Sequence, residues 1–244
     1  MIPVVLLHGW GMHSGVWSAT AQALGERALL IDLPGYGVRP TVLPYDLPTL
    51  AQAVVADLPP VFDLVAWSLG GQVAMTLTQL MPERVRRLVL VGVNPCFTQR
   101  TDWQCGIAPA VLTQFGGDLA ANYEVTLKRF LALQARGDDA ARVLLVQLRQ
   151  LLFARGRPDV AVLQAGLDIL LNADLRESAH LLHVQTLIIH GSFDQLAPVC
   201  AAEWLAQVLP NAQLNIIAGA SHAPFLSHRT EFERVLMPFL ESNA

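Results

Sequence analysis

Residues 63–74 read DLVAWSLGGQVA, and the way this stretch folds decides the architecture. An apolar run ends at Ser68, a small polar residue between Trp67 and Leu69, and Gly70 and Gly71 follow at once. A buried strand that stops there and passes into a glycine-led helix makes a sharp elbow. The turn forces Ser68 into a strained backbone conformation. Strand and helix can then pass closely only if the residues two before and two after it are small. Gly70 fits, and Ala66 stands where the pattern has glycine. A serine presented in this way is a candidate nucleophile. Because a hydroxyl is a poor nucleophile near neutral pH, it needs a histidine base and a carboxylate to orient that base.

Similar apolar runs recur on both sides: PVVLLHG, ALLIDLPG and RLVLVGV, then TLIIHG and QLNIIAG much later. Runs apolar on both faces suit buried parallel strands. The helical patterns near 49–58, 70–81, 199–209 and 230–240 make the fold class α/β, a doubly wound, mostly parallel sheet flanked by helices. Between residues 93 and 186 the alternation gives way to amphipathic helical patterns at about 110–135, 138–155, 158–172 and near Glu177. Such an insertion reads as a helical lid over the carboxyl ends of the strands, where these folds place their ligands. The expected organisation is a first core part at 1–95, a lid at 96–183 and a second core part at 184–244. At 244 residues, 53% hydrophobic and 15% charged, the chain is long enough for one such domain.

The opening stretch MIPVVLLHGWGMHSGVW has no basic start, and His8, Gly9, Gly11, His13 and Gly15 interrupt it well short of the roughly twenty apolar residues of a membrane span. A soluble, untargeted chain is expected, with no membrane partner. Cys96, Cys105 and Cys200 form no CxxC pair and have no metal-like spacing to histidines. They read as core-packing thiols of a reducing compartment, with no metal site. The net charge of −4 argues against a nucleic-acid partner. The average conceals a basic segment, because 128–157 holds seven basic residues against Asp138 and Asp139.

A Ser nucleophile on this fold expects its acid and its histidine later in the chain, in that order. TLIIHGSFDQLAP puts Asp194 in the loop after one strand, and LNIIAGASHAPF puts His222 in the loop after the next. Asp168 and Asp174 lie in the helical insertion, and His190 lies within a strand. The oxyanion formed by attack on a carbonyl needs two N–H donors. One would be Leu69, next to the nucleophile, and the other Trp10 in the glycine loop HGWGMH. The same glycines also suit an ordinary tight turn. No phosphate loop of the GxxxxGK[ST] type is present.

Taken together, VVLLHGWG, DLPGYG, WSLGG, PERV, PCF, RFLALQ, DQLAP and HAPFLSHRTEF resemble the BioH-type esterases of the α/β-hydrolase superfamily, the pimeloyl-[acyl-carrier protein] methyl ester carboxylesterases, over almost the whole chain. The resemblance implies Ser68 as nucleophile, Asp194 as acid, His222 as base, Trp10 and Leu69 as oxyanion amides, and Phe130 of RFLALQ lining an acyl channel together with Trp10. It also implies a cytoplasmic monomer without cofactor, acting on a methyl-capped pimeloyl chain held by acyl carrier protein. In the superfamily's numbering the lid follows the sixth strand. The chain opens directly on the strand IPVVLLHG, without the N-terminal hairpin of similar proteins, so an exposed sheet edge is expected. Two further departures are Ala66 at the elbow and DLPGYGVRP, which lacks the serine that often follows the second glycine.

Arg129 and Arg136 are seven apart on one expected helix, and Arg142 and Arg149 seven apart on the next, so each pair would share a face. Such faces suit an acidic carrier helix, or simply solvation of an exposed helix. The triad motif alone also fits a small-ester esterase, a lactonase or a C–C bond hydrolase, or a non-catalytic ligand-binding member of the fold. Relatives with an aspartate at the elbow perform dehalogenase or epoxide hydrolase chemistry, and Ser68 argues against those.

Overall fold

Six parallel strands form one sheet among the described residues, 1–242 of the computed structural model. They are β1 (Val4–Leu7), β2 (Ala28–Ile31), β3 (Phe62–Trp67), β4 (Val85–Val91), β5 (Gln185–Gly191) and β6 (Ala212–Ile217), in the order β2-β1-β3-β4-β5-β6. Every residue of β1 and β3 is buried, which is why these runs read as apolar on both faces. At the two edges burial is incomplete: only Ile31 of β2 and only Ile217 of β6 are fully covered. The sheet edge on the side of β1 is β2, three of whose four residues are only partly covered.

The first core part carries α1 (Ser18–Leu24), α2 (Leu47–Val54) and α3 (Leu69–Leu80). Asp46 caps α2, its carboxylate accepting from the Thr49 N–H at 2.9 Å, with Pro48 in the first turn where a missing N–H costs nothing. In α1 only Thr20 and Leu24 are buried, too little apolar periodicity for the sequence to announce a helix. After β4 the chain leaves the sheet for α4 (Pro109–Ala121), α5 (Tyr123–Gln134), α6 (Ala141–Leu151), α7 (Val160–Asn172) and the single turn α8 (Arg176–Ala179). It rejoins the sheet at β5, and α9 (Val199–Val208), α10 (Pro224–Ser227) and α11 (Arg229–Glu241) complete the core.

Three details differ from the sequence expectation. The single pattern at 110–135 is two helices, broken at Asn122 (φ −139°, ψ 55°), which closes α4 and opens α5. Because α5 ends at Gln134, Arg136 lies in the turn beyond it rather than one helical face along from Arg129. The cysteines are not three separate thiols: Cys105 and Cys200 form a disulfide, and Cys96 is a free buried thiol. The bonded pair is 95 residues apart, so spacing gives no hint of it. Folding brings the loop after β4 against the first turn of α9.

Candidate active site

The chain leaves β1 for β2 on one side and then crosses to β3 on the other, so the carboxyl ends of β1 and β3 lie side by side where the connections diverge, with Leu7 opposite Ala66. Open α/β sheets bind their ligands at such a point. Ser68 follows β3 directly at φ 56° and ψ −122°, the one non-glycine residue with positive φ among those described. A conformation of this kind costs on the order of 1–3 kcal/mol and persists only where the surroundings hold it. Here the Ser68 N–H donates to the Val91 carbonyl at 3.0 Å, and the Ser68 carbonyl accepts from Gly71 at 2.8 Å. A Cβ at Gly70 would collide with the His8 carbonyl, so the elbow requires glycine there. Ala66 is accommodated fully buried within β3.

The loop after β1 is fixed by His8. The Leu33 N–H donates to His8 Nε2 at 2.9 Å, which leaves the proton on Nδ1, where it bonds the Gly9 carbonyl at 2.8 Å. Burial, against smaller opposing effects, lowers the pKa of this imidazole to about 4, so it is neutral near pH 7. Gly9 lies against the elbow: a Cβ there would stand 3.1 Å from Ser68 Cβ. Trp10 follows and reaches up into the insertion. Its indole N–H donates to the Leu163 carbonyl of α7 at 2.8 Å, and its ring meets Phe130 of α5 edge-on at 4.5 Å. Gly166 of α7 leaves the room this indole occupies. The backbone N–H groups of Trp10 and Leu69 bond to nothing else among the described residues, and Leu69 stands at the start of α3, where N–H groups lack helical partners.

Asp194, after β5, and His222, after β6, complete the cluster. His222 Nδ1 is 2.7 Å from Asp194 Oδ2, and His222 Nε2 is 3.0 Å from Ser68 Oγ. A carboxylate can only accept, so Nδ1 carries the proton and Nε2 presents a lone pair to the Ser68 hydroxyl. The other Asp194 oxygen accepts from Leu196 at 2.9 Å and Ala197 at 2.8 Å. Burial alone would raise the Asp194 pKa, but His222 above all, with His190 and the Ala197 amide, outweighs it and holds the carboxyl below its ordinary range. Gly92 and Gly191 supply the close approaches, since a Cβ at either would press on the loop 220–222. All three side chains are nearly shut off from solvent, Ser68 being 3% exposed.

The Alpha/beta hydrolase family model matches residues 4–235. The chain belongs to that family. Within it, this hydrolase is 43% identical to the pimeloyl-[acyl-carrier protein] methyl ester esterase of Nitrosomonas europaea over 94% of its own length and 92% of the relative's. It is 42% identical to the enzyme of that name from Aeromonas hydrophila, over 97% and 94%. Among solved structures, an esterase from Exiguobacterium antarcticum superimposes with a TM-score of 0.89 at 25% identity, covering 99% of this chain and 92% of that one. An enol-lactonase from Burkholderia xenovorans LB400 gives 0.84 at 21% identity over 99% and 92%, a likeness of fold alone.

The four arginines singled out from the sequence fall into two places on this hydrolase. Arg142 and Arg149 are both exposed on α6, with Val143 and Val146 exposed between them. Arg129 and Arg136 flank a groove of about 440 Å³ beside α5, floored by Phe115 and Leu133. Arg129 is ion-paired to Asp118 at 2.8 Å and lies over the Phe115 ring, whereas Arg136 is exposed. Among the described residues no helix is long and apolar enough to cross a membrane.

Two contacts escape a reading of the sequence. His190 Nε2 lies 3.4 Å from Asp194 Oδ2 and 2.6 Å from the Ala197 carbonyl. Burial lowers its pKa, so it stays neutral and donates to that carbonyl. The Trp67 indole donates to the His222 carbonyl at 2.8 Å, so the strand that delivers Ser68 also holds His222. Only the position of Trp67, next to the elbow serine, hinted at this.

Proposed function

We propose that this protein is a serine carboxylesterase that removes the methyl group from a methyl-pimeloyl chain carried by acyl carrier protein, in assembly of the biotin precursor. The hydrogen-bonded series Ser68–His222–Asp194 carries the reading, because its proton arrangement suits a hydroxyl about to lose its proton. The name shared by relatives about 40% identical over nearly the full length supports the choice of substrate.

In the proposed reaction Ser68 Oγ attacks the ester carbonyl while His222 Nε2 takes its proton. Asp194 stabilises the imidazolium. The N–H groups of Trp10 and Leu69 receive the oxyanion, each contributing on the order of 3 kcal/mol to the transition state. His222 then passes the proton to the departing methoxide, which leaves as methanol. Water, deprotonated by the same histidine, hydrolyses the acyl-enzyme and leaves a free carboxylate on the carrier-bound chain. No cofactor takes part. Residues 96–183 act as the lid, with Phe130 and Trp10 lining the acyl channel. Arg142 and Arg149, with Val143 and Val146, offer a basic and apolar face to an acidic carrier helix, and Arg129 and Arg136 offer a second basic place beside α5. It would work as a monomer in the cytoplasm.

The test is to offer methyl-pimeloyl-acyl carrier protein and the free monomethyl ester side by side, following methanol release and the loss of the methyl group from the carrier by mass. A higher kcat/KM for the carrier-bound ester, falling as salt is added, is expected. Hydrolysis of free esters with none on the carrier would keep the esterase and remove the carrier protein as its partner.

A further inference from the structure

A base carried on a loop is only as well placed as that loop. His222 lies in the stretch 218–223 between β6 and α10, which has no regular structure to hold it. From the core side it is held by Trp67, and by Ser192 Oγ, which accepts from the Gly219 N–H at 3.0 Å. From the other side it is held by the insertion, through the corner 134–139 between α5 and α6. There the His222 N–H donates to the Gln134 carbonyl at 3.2 Å, and the Asp139 N–H donates to the Gly219 carbonyl at 2.9 Å. Ser221 Oγ donates to the Arg136 carbonyl at 3.1 Å.

The one side-chain acceptor the corner offers to this loop is Asp138. Its Oδ2 accepts from the Ser221 N–H at 2.8 Å, one residue before the base, while its Oδ1 accepts from the Ala140 N–H at 2.8 Å at the start of α6. The Asp138 side chain is fully buried, as are Ser221 and His222, so the bond is shielded from competing water. The corner's shape is built for this approach. Gly137 turns at φ +85° against Phe193, and a Cβ at Gly219 would collide with Asp139.

We propose that Asp138 is a positioning residue for the hydrolytic reaction, fixing His222 through the Ser221 N–H so that Nε2 stays in line with Ser68 Oγ. The inference rests on the Ser–His–Asp reading of the site but not on the identity of the ester. Its two oxygens do different work: Oδ1 closes a turn onto the Ala140 N–H just ahead of α6, and Oδ2 holds the loop of the base.

Asp138→Ser separates these tasks, because a serine Oγ can still accept from Ala140 but is too short to reach Ser221. Asp138→Asn keeps one oxygen for either N–H. The measurements are steady-state kinetics on a short chromogenic ester, the rate at which a fluorophosphonate labels Ser68, and the melting temperature. For Asp138→Ser, kcat and the labelling rate are expected to fall about tenfold with KM unchanged within about twofold, as for a misplaced catalytic group. Asp138→Asn should lie between it and the wild type, with both variants melting within a few degrees of it. Unchanged kcat and labelling in Asp138→Ser would overturn the proposal, as would a loss appearing only in KM or melting temperature. If the wild type neither hydrolyses the ester nor is labelled at Ser68, the esterase reading fails as well. Labelling without ester turnover would spare the triad and still read the effect of Asp138.

Discussion

Ser68 occupies a backbone conformation that only its neighbours make tolerable, and each of them is identifiable. Gly70 lets the helix pass the end of β1, and Val91 and Gly71 hold the backbone in place. His8 supports the same corner from below as a neutral, fully buried imidazole, and this makes folding sensitive to acid. Its folded pKa of about 4 lies below the ordinary 6.5, so the unfolded chain takes up the proton first. The stability it contributes is complete above pH 6.5 and is lost as pH falls toward 4, by up to about 1.4 kcal/mol per pH unit. Urea unfolding between pH 7 and 4 should show this slope, and His8→Gln should remove about one proton's share of it. An unchanged slope in the variant would mean that His8 is not the group responsible. The residues legible in the sequence were those whose chemistry needs a motif: Ser68 at its elbow, and Asp194 and His222 after successive strands. His190 and Asp138 belong to no motif. Their roles arise from distances between segments far apart in the chain, which no local pattern encodes.

At the scale of elements, burial decided what could be read. β1 and the apolar runs 64–67 of β3 and 88–91 of β4 announced themselves because parallel strands covered on both faces are apolar along their buried length. The insertion was legible as helical but not in its joints. Nothing apolar marks the break at Asn122, and the corner 134–139 is polar sequence whose bonds run to a loop some 85 residues away. On α6, Arg142 and Arg149 share an exposed face with two valines, the face proposed to meet the carrier. Reversing both charges, Arg142→Glu with Arg149→Glu, should lower the ratio of carrier-bound to free-ester kcat/KM about tenfold and flatten its salt dependence. An unchanged ratio would move the docking face elsewhere.

Across the whole molecule, the insertion is tied to the core at several places, three of which bear on the site or on stability. Trp10 rises from the core into α5 and α7, the corner 134–139 grips the loop of His222, and the Cys105–Cys200 disulfide joins the start of the insertion to the element that follows the Asp194 loop. A cross-link spanning 95 residues removes much of the unfolded chain's freedom, so reducing it, or Cys105→Ser, should lower the unfolding free energy by about 2–4 kcal/mol. Thiol titration of the denatured, unreduced protein should find Cys96 alone. Three reactive thiols would show that the pair is kept reduced, as a cytoplasm favours. In the proposed reaction everything depends on the attack of Ser68 on the methyl ester. The most direct measurement is single-turnover methanol release from methyl-pimeloyl-acyl carrier protein by the wild type and Ser68→Ala, with folding of the variant verified by its melting temperature. Release by the wild type and a loss of at least about a thousandfold in the folded variant is the expected result. Comparable release by Ser68→Ala would contradict the mechanism, whatever else the fold supports.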